Sequence, residues 1–561
     1  MDRKPKLEEL SLREKISQTA MLGQDTVFEK FTNSSAVPEY IKKNPIGTFH
    51  ATGASNYSEI HMVDGVAKGF YEKDYAEKYR KWIKKLNEVS EIPLLVASDC
   101  EGGMGYAFPR MSLFTTAGGL GAANDEELAY QTGYQLASEA KYAGLNWLWG
   151  PPADLCGRAF SVMYNRCYGD SVEINTKMAV AQIKGMQDAG VAANIKHFPG
   201  PGIEEYRDPH SSVNVNSMSF DEWVKTQGAI YQAAIDAGVY SIMIGHSAFP
   251  AVDNRKIGKV YVPSTLSDKV ITELLKGKMG FKGVVVTDGI SMRGLSLMYE
   301  NVDELHKALI KAGNDIILSV GDIEHYLDIM EKAVLSGEIA EERINDACRR
   351  VLDMKEKIGL FNDEEQEPGD IPEELLQKGR ELNIKVAERS VTLICDDDKK
   401  LPLDRNKIKK VVAICPGYDE SVVENVRNVF TREFTKRGVE KVEVRHYIDD
   451  NKSFDPKDLI PLNEEYDLII YAAYMPHGMG RIFTGDSFRT IAFSLRYGRR
   501  KSIVMSLGSP FLYFDYFYQA ETYLNLYSPK DEVLTAAIKG LYGEIEFTGV
   551  SGFEMVPDWA K

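Results

Sequence analysis

Between Asn194 and His210 the chain reads NIKHFPGPGIEEYRDPH, and this stretch holds two of the nine histidines in the sequence. Lys196 and His197 are adjacent, and Asp208 and His210 flank Pro209. An ammonium beside an imidazole offers charged hydrogen bonds to a hydroxyl-rich ligand, whose hydroxyls need partners once water is removed. An aspartate two residues from a histidine can accept from one ring nitrogen, fix the tautomer and raise the basicity of the other nitrogen. That pairing suits a general acid/base working near neutral pH, and Pro209 restricts the backbone between the two side chains. Taken alone, Asp-Pro-His fits a structural loop equally well. Pro199, Gly200, Pro201 and Gly202 set a turn between the two pairs.

Asp288 closes an aliphatic run, VVVTD, and Gly289 then turns the chain. A carboxylate held this way is rigid and partly desolvated, which suits a nucleophile toward an electrophilic carbon; the plainer alternative is a cap for the next helix. Asp99, Arg166, Lys196 and His197 together could ring a polyhydroxylated ligand with charged hydrogen bonds. Trp147, Trp149, Phe160 and Tyr164 are candidates for apolar walls, a role that competes with ordinary core packing.

Parallel strands are the elements that could bring these residues together. Short apolar runs recur at Gln18–Gly23, Ile46–His50, Pro93–Ser98, Leu145–Gly150, Ala192–His197, Val239–Gly245, Gly283–Asp288 and Asp315–Val320. Most are followed by amphipathic stretches, among them Asp125–Ala143, Val172–Ala189, Phe220–Ala237 and Asp303–Ala312. Apolar runs alternating with helical periods predict parallel strands joined by crossover helices, and eight such runs predict a (β/α)8 barrel of the TIM type over residues 1–360. Polar residues fall at the C-terminal ends of these runs: Asp99 and Glu101, Asp154, His197, His246 and Asp288. In a parallel barrel those ends converge on one face, where active sites form; the alternative is that strand ends simply need polar caps.

Residues 361–388, with NDEEQEPGDIPEE, read as an acidic linker. From residue 389 to 561 a second alternation predicts an α/β sandwich domain. Its strands are expected at Val391–Cys395, Lys410–Cys415, Lys441–His446, Asp467–Ala472, Ser502–Ser506 and Thr522–Asn525, and its helices at Glu420–Arg437, Ser487–Tyr497 and Lys530–Tyr542. The Gly118–Gly121 cluster lacks phosphate-loop spacing and reads as a turn.

The length of 561 residues calls for more than one domain, and 44% hydrophobic with 27% charged residues is ordinary for a globular protein. A net charge of -16 argues against nucleic-acid binding. The six cysteines show no CxxC spacing, so neither a zinc site nor a disulfide framework is expected. The first residues, MDRKPKLEELSLREKISQ, lack a secretory apolar core, and no apolar run reaches the ~18 residues of a membrane span. The expectation is a soluble cytoplasmic protein without metal or cofactor.

These motifs carry a resemblance. The chain resembles the glycoside hydrolases of family 3, in particular their β-N-acetylglucosaminidase branch. PLLVASDCEGG is similar to a strand-end motif whose Asp, here Asp99, holds sugar hydroxyls. NRCYGD is similar to the motif whose Arg, here Arg166, binds the sugar. NIKHFPGPG resembles the KHFPGxG signature, which implies Lys196 and His197 on sugar hydroxyls. RDPH resembles the Asp-x-His dyad of the branch, implying His210 as acid/base and Asp208 as its orienting partner. FKGVVVTDGISMRGL resembles the nucleophile motif, which implies Asp288. His246, in IMIGHSAFP, falls where the branch often has a sugar-binding His. The segments SVTLICDDDKKLPLD, SLGSPFLYFDYF and LYGEIEFTG resemble the C-terminal sandwich of the family. Met104 stands where Arg is common, Pro201 where a second His is common, and Pro209 where Ser is usual; these departures bear on subsites and aglycone preference.

The resemblance implies a retaining exo-β-N-acetylglucosaminidase acting on a small carbohydrate. Asp288 would attack and His210 would protonate the leaving oxygen, in place of the usual second carboxyl. A neutral imidazole does not repel an anion as a carboxylate does, so phosphorolysis is the alternative, with β-glucosidase activity a further one. A non-catalytic sugar-binding protein is disfavoured by the intact Asp288 and His210. A metal-dependent hydrolase finds no support in ligand spacing.

Overall fold

The computed structural model describes residues 3–23, 36–51, 75–108, 110–157, 161, 163–164, 166–202, 205, 207–362, 370–416, 419–447, 460–475, 495 and 501–556. The chain divides into two compact units. One comprises Met1–Leu113, Ala129–Asp154 and Thr176–Arg380; the other comprises Phe114–Leu128, Leu155–Asn175 and Glu381–Lys561.

The first unit is built on a curled parallel sheet of seven strands in sequence order: β1 (Met21–Gly23), β2 (Thr48–His50), β3 (Leu95–Ser98), β4 (Trp147–Leu148), β5 (Ala192–Phe198), β6 (Ser241–Ile244) and β7 (Val284–Thr287). Each is buried along its length apart from His50 and His197, as near-continuous apolar runs in parallel sheets require. Met21, Leu95, Ala97, Trp147, Trp149, Ala192, Met243, Val284, Val286, Ile316 and Leu318 pack into one core. Trp147 and Trp149 thus serve the core rather than a ligand wall, and Phe160 lies outside the described residues.

The run expected as an eighth strand, Asp315–Val320, makes bridges instead of a ladder. Ile316 bridges Val286 in β7, and Ile317 bridges Ala20 just before β1. Side chains take over two ladder positions: Asp315 accepts from the Val285 N–H at 2.9 Å, and Thr287 Oγ1 accepts from the Leu318 N–H at 3.0 Å. Ser319 then adopts φ 59, which ends the extended conformation. Asp315 is fully buried and is held by Lys276 at 2.7 Å and by Arg343, so the carboxylate that diverts the ladder is itself neutralised.

Helices form where apolar spacing and caps coincide. Glu126–Tyr142 follows Asp125, whose carboxylate accepts from the Leu128 N–H at 3.2 Å. Val172–Asp188 and Val302–Ala312 match the expected spans to within a residue at either end. Phe220–Ala237 is instead two helices, Phe220–Lys225 and Gln227–Asp236, broken at Thr226 with φ -118 and ψ -104. Two expectations need correction. Gly118–Gly121 is not a turn but part of the helix Ala117–Ala123, capped by Thr116. Its glycines serve close packing: a Cβ at Gly121 would lie 2.1 Å from the Tyr168 carbonyl oxygen. The expected linker over 361–388 is helical from Glu373 to Ser390. Leu376, Asn383, Val386 and Ala387 form a buried face, sparse enough that surrounding charges hide its period in the sequence.

The second unit contains a six-stranded sheet. Its strands are β8 (Thr392–Asp396), β9 (Lys410–Pro416), β10 (Lys441–Tyr447), β11 (Leu468–Ala473), β12 (Ser502–Ser506) and β13 (Thr522–Asn525), ordered β8-β13-β12-β11-β9-β10. Only β8 runs antiparallel to its neighbour. Alternate residues of β9 feed two cores: Val411, Ala413 and Cys415 pack with the helices Glu420–Lys436 and Asp531–Leu541, while Val412 and Ile414 pack with Tyr466, Leu512 and Phe517. The helix expected over Ser487–Tyr497 falls outside the described residues, Leu495 excepted. No described helix is long and apolar enough to cross a membrane.

Lys355, in the helix Glu341–Lys357, is fully buried with its Nζ 2.6 Å from Gln18 Oε1. Burial pushes its ammonium down to about 7, despite Cys348 nearby. Unfolded chain keeps the proton up to the ordinary 10.5 while the native state sheds it above about 7. The charge therefore costs stability in full below pH 7, and the cost fades as pH rises toward 10. Lys355→Met is expected to raise unfolding stability by about 1–3 kcal/mol at pH 6 and by less at pH 9.5, as read from urea titrations at the two pH values.

Candidate active site

Strand ends of the first unit assemble the site. Asp99 follows β3, and Lys196 and His197 lie within β5. Pairing between β5 and β6 shifts register between Ile195 and Phe198, an irregularity of the kind that re-aims side chains. The two neighbours therefore serve different acids. Lys196 is 1% exposed, and its Nζ lies 2.6 Å from both Asp99 Oδ1 and Glu101 Oε1. A buried ammonium needs such compensation. Asp99 remains half exposed, so it can hold Lys196 and still offer an oxygen to a ligand hydroxyl. The His197 ring lies with Nδ1 2.7 Å from Asp154 Oδ2, and its N–H donates to Asp154 Oδ1 at 3.3 Å. With Asp154 fully buried, this two-point contact fixes the imidazole.

The chain then turns through Pro199 and Gly200, held by Trp223 Nε1 on the Pro199 carbonyl at 2.8 Å and by Asn216 Nδ2 on the Gly200 carbonyl at 3.0 Å. Beyond it, Asp208 Oδ1 accepts from both the His210 N–H at 2.9 Å and His210 Nδ1 at 2.6 Å. The Ser211 and Ser212 N–H groups donate to the Asp208 carbonyl at 3.0 and 3.1 Å, forming a tight turn that carries His210. Asp208 is nearly buried, whereas His210 is 37% exposed; the acid orients and the imidazole faces outward.

Asp288 continues β7, its N–H donating to the Ile244 carbonyl at 3.0 Å, and its Oδ1 accepts from the Gly289 N–H at 2.7 Å. Burial would raise this carboxyl, but His197, His246, the Gly289 N–H and Lys196 outweigh it and hold Asp288 below the ordinary carboxylate value. It is anionic at neutral pH, as a nucleophile must be. The His210 loop docks on the turn that follows: the Arg293 N–H donates to the His210 carbonyl at 3.1 Å. Gly294 permits that approach, because a Cβ there would lie 2.7 Å from the Ser212 oxygen and 2.9 Å from the Pro209 oxygen. The dyad and the carboxylate are thus tied together through five residues of chain.

His246 is enclosed by protein groups. It is 1% exposed, with Nδ1 3.0 Å from Thr265 Oγ1 and Nε2 2.9 Å from the Gly289 carbonyl oxygen. Burial lowers its pKa, as do the charges of His197 and His210, against the opposing pull of Asp288 and the Gly289 carbonyl. The neutral ring donates from Nε2 to Gly289 and accepts from the Thr265 hydroxyl, so it supports the residue next to Asp288 and has no nitrogen left for sugar. His246→Phe is expected to lower kcat about 10–100-fold with little change in KM; a rise in KM at unchanged kcat would instead mark a sugar contact.

Arg166 lies in the second unit, half-buried, with its N–H on the Met163 carbonyl at 2.9 Å. Met104 is fully buried, so the departure there removes a charge from the region rather than moving it. Sequence reasoning placed Glu101 and Asp154 at strand ends but gave them no role. Their signal was position alone, since nothing in the sequence says which cation an acid faces. Thr265 carries no signal. Among the described residues, no cluster of three or more His, Cys, Asp or Glu could hold a metal ion.

A curled parallel sheet with an ionised carboxylate just beyond one strand end and an Asp–His pair on a neighbouring loop is an arrangement suited to a hydrolase. The profile of the glycosyl hydrolase family 3 N-terminal domain matches residues 11–354. The β-N-acetylglucosaminidase/β-glucosidase of Cellulomonas fimi is 25% identical over 500 residues, 84% of this chain and 85% of that protein. The β-hexosaminidase of Psychromonas ingrahamii is 30% identical over 265 residues, 46% of this chain and 74% of that protein. A solved family 3 β-N-acetylglucosaminidase from Paenibacillus superimposes with a TM-score of 0.79 at 24% identity, over 97% of this chain and 99% of that one. A β-glucoside phosphorylase does so with a TM-score of 0.80 at 24% identity, over 98% and 95%. The chain belongs to glycosyl hydrolase family 3.

Proposed function

We propose that the chain is a retaining exo-β-N-acetylglucosaminidase, releasing terminal β-linked N-acetylglucosamine from small oligosaccharides. The observation that carries this reading is the Asp208–His210 pair tied by the Arg293 N–H to the turn after Asp288. Asp99, Lys196 and His197 hold sugar hydroxyls. The Asp288 carboxylate attacks the anomeric carbon while the His210 Nε2–H protonates the departing oxygen, giving a glycosyl ester on Asp288. His210, now neutral, takes a proton from water as water attacks the same carbon, and the sugar leaves with its configuration retained.

In this reading the first unit is a (β/α)8 barrel through residue 360, closed by the Asp315–Val320 bridges, and residues 389–561 form an α/β sandwich. The widely scattered cysteines, without the spacing of a disulfide framework, support a reducing, cytoplasmic setting. A second reading is favoured by the neutral acid/base: an imidazole admits phosphate where a carboxylate repels it, so sugar 1-phosphate could be the product. The test is incubation with an aryl β-N-acetylglucosaminide, with and without phosphate, followed by NMR. Free β-anomer as the first product supports retaining hydrolysis, sugar 1-phosphate supports phosphorolysis, and no turnover overturns both.

A further inference from the structure

We propose that Glu205 is a positioning residue for His210: its carboxylate closes the base of the loop that carries the Asp208–His210 pair. The inference rests on reading His210 as the acid/base. Glu205 Oε1 accepts from the Arg207 N–H at 3.0 Å and from Arg207 Nε at 2.9 Å. Glu205 Oε2 accepts from Arg207 Nη2 at 2.5 Å and from the Val215 N–H at 2.8 Å. One carboxylate thus grips the guanidinium in a two-point fork and also reaches ten residues along the chain.

The contacts form a closed frame. Asn214 Nδ2 donates to the Arg207 carbonyl at 2.7 Å, a second cross-link at the same level. The far leg is anchored beyond the loop: Val215 bridges Ala248, the Asn216 N–H donates to the Ala248 carbonyl at 2.8 Å, and the Ala248 N–H donates to the Asn214 carbonyl at 2.8 Å. Ala248 lies two residues after His246, the side chain that supports Gly289 beside Asp288. At the apex the loop is held by the Arg293 N–H on the His210 carbonyl. Only 6% of the Glu205 side chain is exposed, against 44% for Arg207. The acid is therefore the desolvated member, and a desolvated two-point charge pair is a stiff joint. Asp208 is the third residue after Glu205, so a loosened base displaces the dyad first. Asp99, Lys196 and His197 belong to strand ends and stay in place.

Acid catalysis gives a readout that a merely structural role would not move. A 2,4-dinitrophenolate departs without a proton, whereas a phenolate needs one, so a misplaced acid penalises only the second. Values of kcat/KM cover the steps from free enzyme and substrate through departure of the aglycone and exclude breakdown of the glycosyl ester. Glu205→Gln is expected to lower kcat/KM about 10–100-fold on phenyl β-N-acetylglucosaminide and no more than about threefold on the 2,4-dinitrophenyl glycoside. Arg207→Met keeps the Val215 bond and is expected to show the same differential at smaller size. Retained activity on the activated glycoside reports an intact fold. His210→Ala serves as the reference and should show the same pattern more strongly. Equal losses on both glycosides in His210→Ala would sink the acid/base reading itself. If His210→Ala follows the pattern but Glu205→Gln and Arg207→Met lose nothing, or lose both substrates equally, the positioning role of Glu205 is wrong.

Discussion

With Asp288 as the proposed nucleophile, Asp288→Ala is expected to abolish turnover, with a fall in kcat of roughly ten-thousand-fold or more, because the variant has no carboxylate on which the glycosyl ester could form. The environment of Asp288 is built for one charge state: His197, His246, Lys196 and the Gly289 N–H hold it ionised against burial. Alanine removes the attacking oxygen but leaves Asp99, Lys196 and His197 untouched, so sugar affinity should change only a few-fold. Calorimetric titration with N-acetylglucosamine separates the two effects. A nucleophile also has a chemical signature. Azide is small enough to occupy the space left by the carboxylate, and it should restore turnover of an activated aryl glycoside with inverted configuration. Residual turnover of the untreated variant above about one per cent would remove Asp288 from the nucleophile's role.

The second large effect is expected at Asp208→Asn, a change of nearly equal size and shape. Asp208 Oδ1 accepts from both the backbone and the ring of His210. An amide that turns its NH2 toward the ring meets Nδ1–H with a second donor, and relief requires His210 to switch tautomer. His210 then holds its single proton on Nε2 as a neutral imidazole, a far weaker acid than the imidazolium that Asp208 stabilises, and Nε2 has no lone pair to take a proton from water. A fall in kcat/KM of about 10²–10³-fold on phenyl β-N-acetylglucosaminide follows, with a far smaller fall on the dinitrophenyl glycoside. A uniform loss on both substrates, accompanied by a lower melting temperature, would show that Asp208 matters for the loop alone.

Much of this site was legible in the sequence, for a physical reason. Parallel strands send their C-terminal ends to one face, so a chemically able residue closing an apolar run announces its place before its partners are known. Asp99, His197 and Asp288 follow from that rule, and Asp208 with His210 from local spacing. Partnership across strands was not legible. That Lys196 would be shared by Asp99 and Glu101, or that Asp154 would orient His197, depends on sheet register and a strand irregularity that leave no mark in composition. Nor does the sequence tell that both ring nitrogens of His246 meet protein partners, Thr265 and the Gly289 carbonyl. In the fold, the apolar residues of Asp315–Val320 are those of an ordinary strand. The diversion of ladder bonds to Asp315 and Thr287 is a side-chain event that periodicity does not register. The helix from Glu373 was hidden by charge, and the glycine helix at Ala117–Ala123 by the usual association of glycine with turns.

The second unit is assembled from three separate pieces of chain. Tyr164 donates its hydroxyl to the Met475 carbonyl at 2.8 Å, the Asp170 N–H donates to the Gly552 carbonyl at 2.9 Å, and the Val550 N–H donates to the Ala122 carbonyl at 2.9 Å. Ala122, Tyr164 and Asp170 thus meet partners hundreds of residues downstream. The stretch 381–561 is then no detachable cassette. A chimera that swaps in residues 381–561 from a relative must carry both earlier segments with it, and the second of these contains Arg166. Recombination between family members is constrained in the same way: crossovers that keep the three pieces together yield folded enzymes, and a single crossover at the acidic stretch breeds incompatible halves.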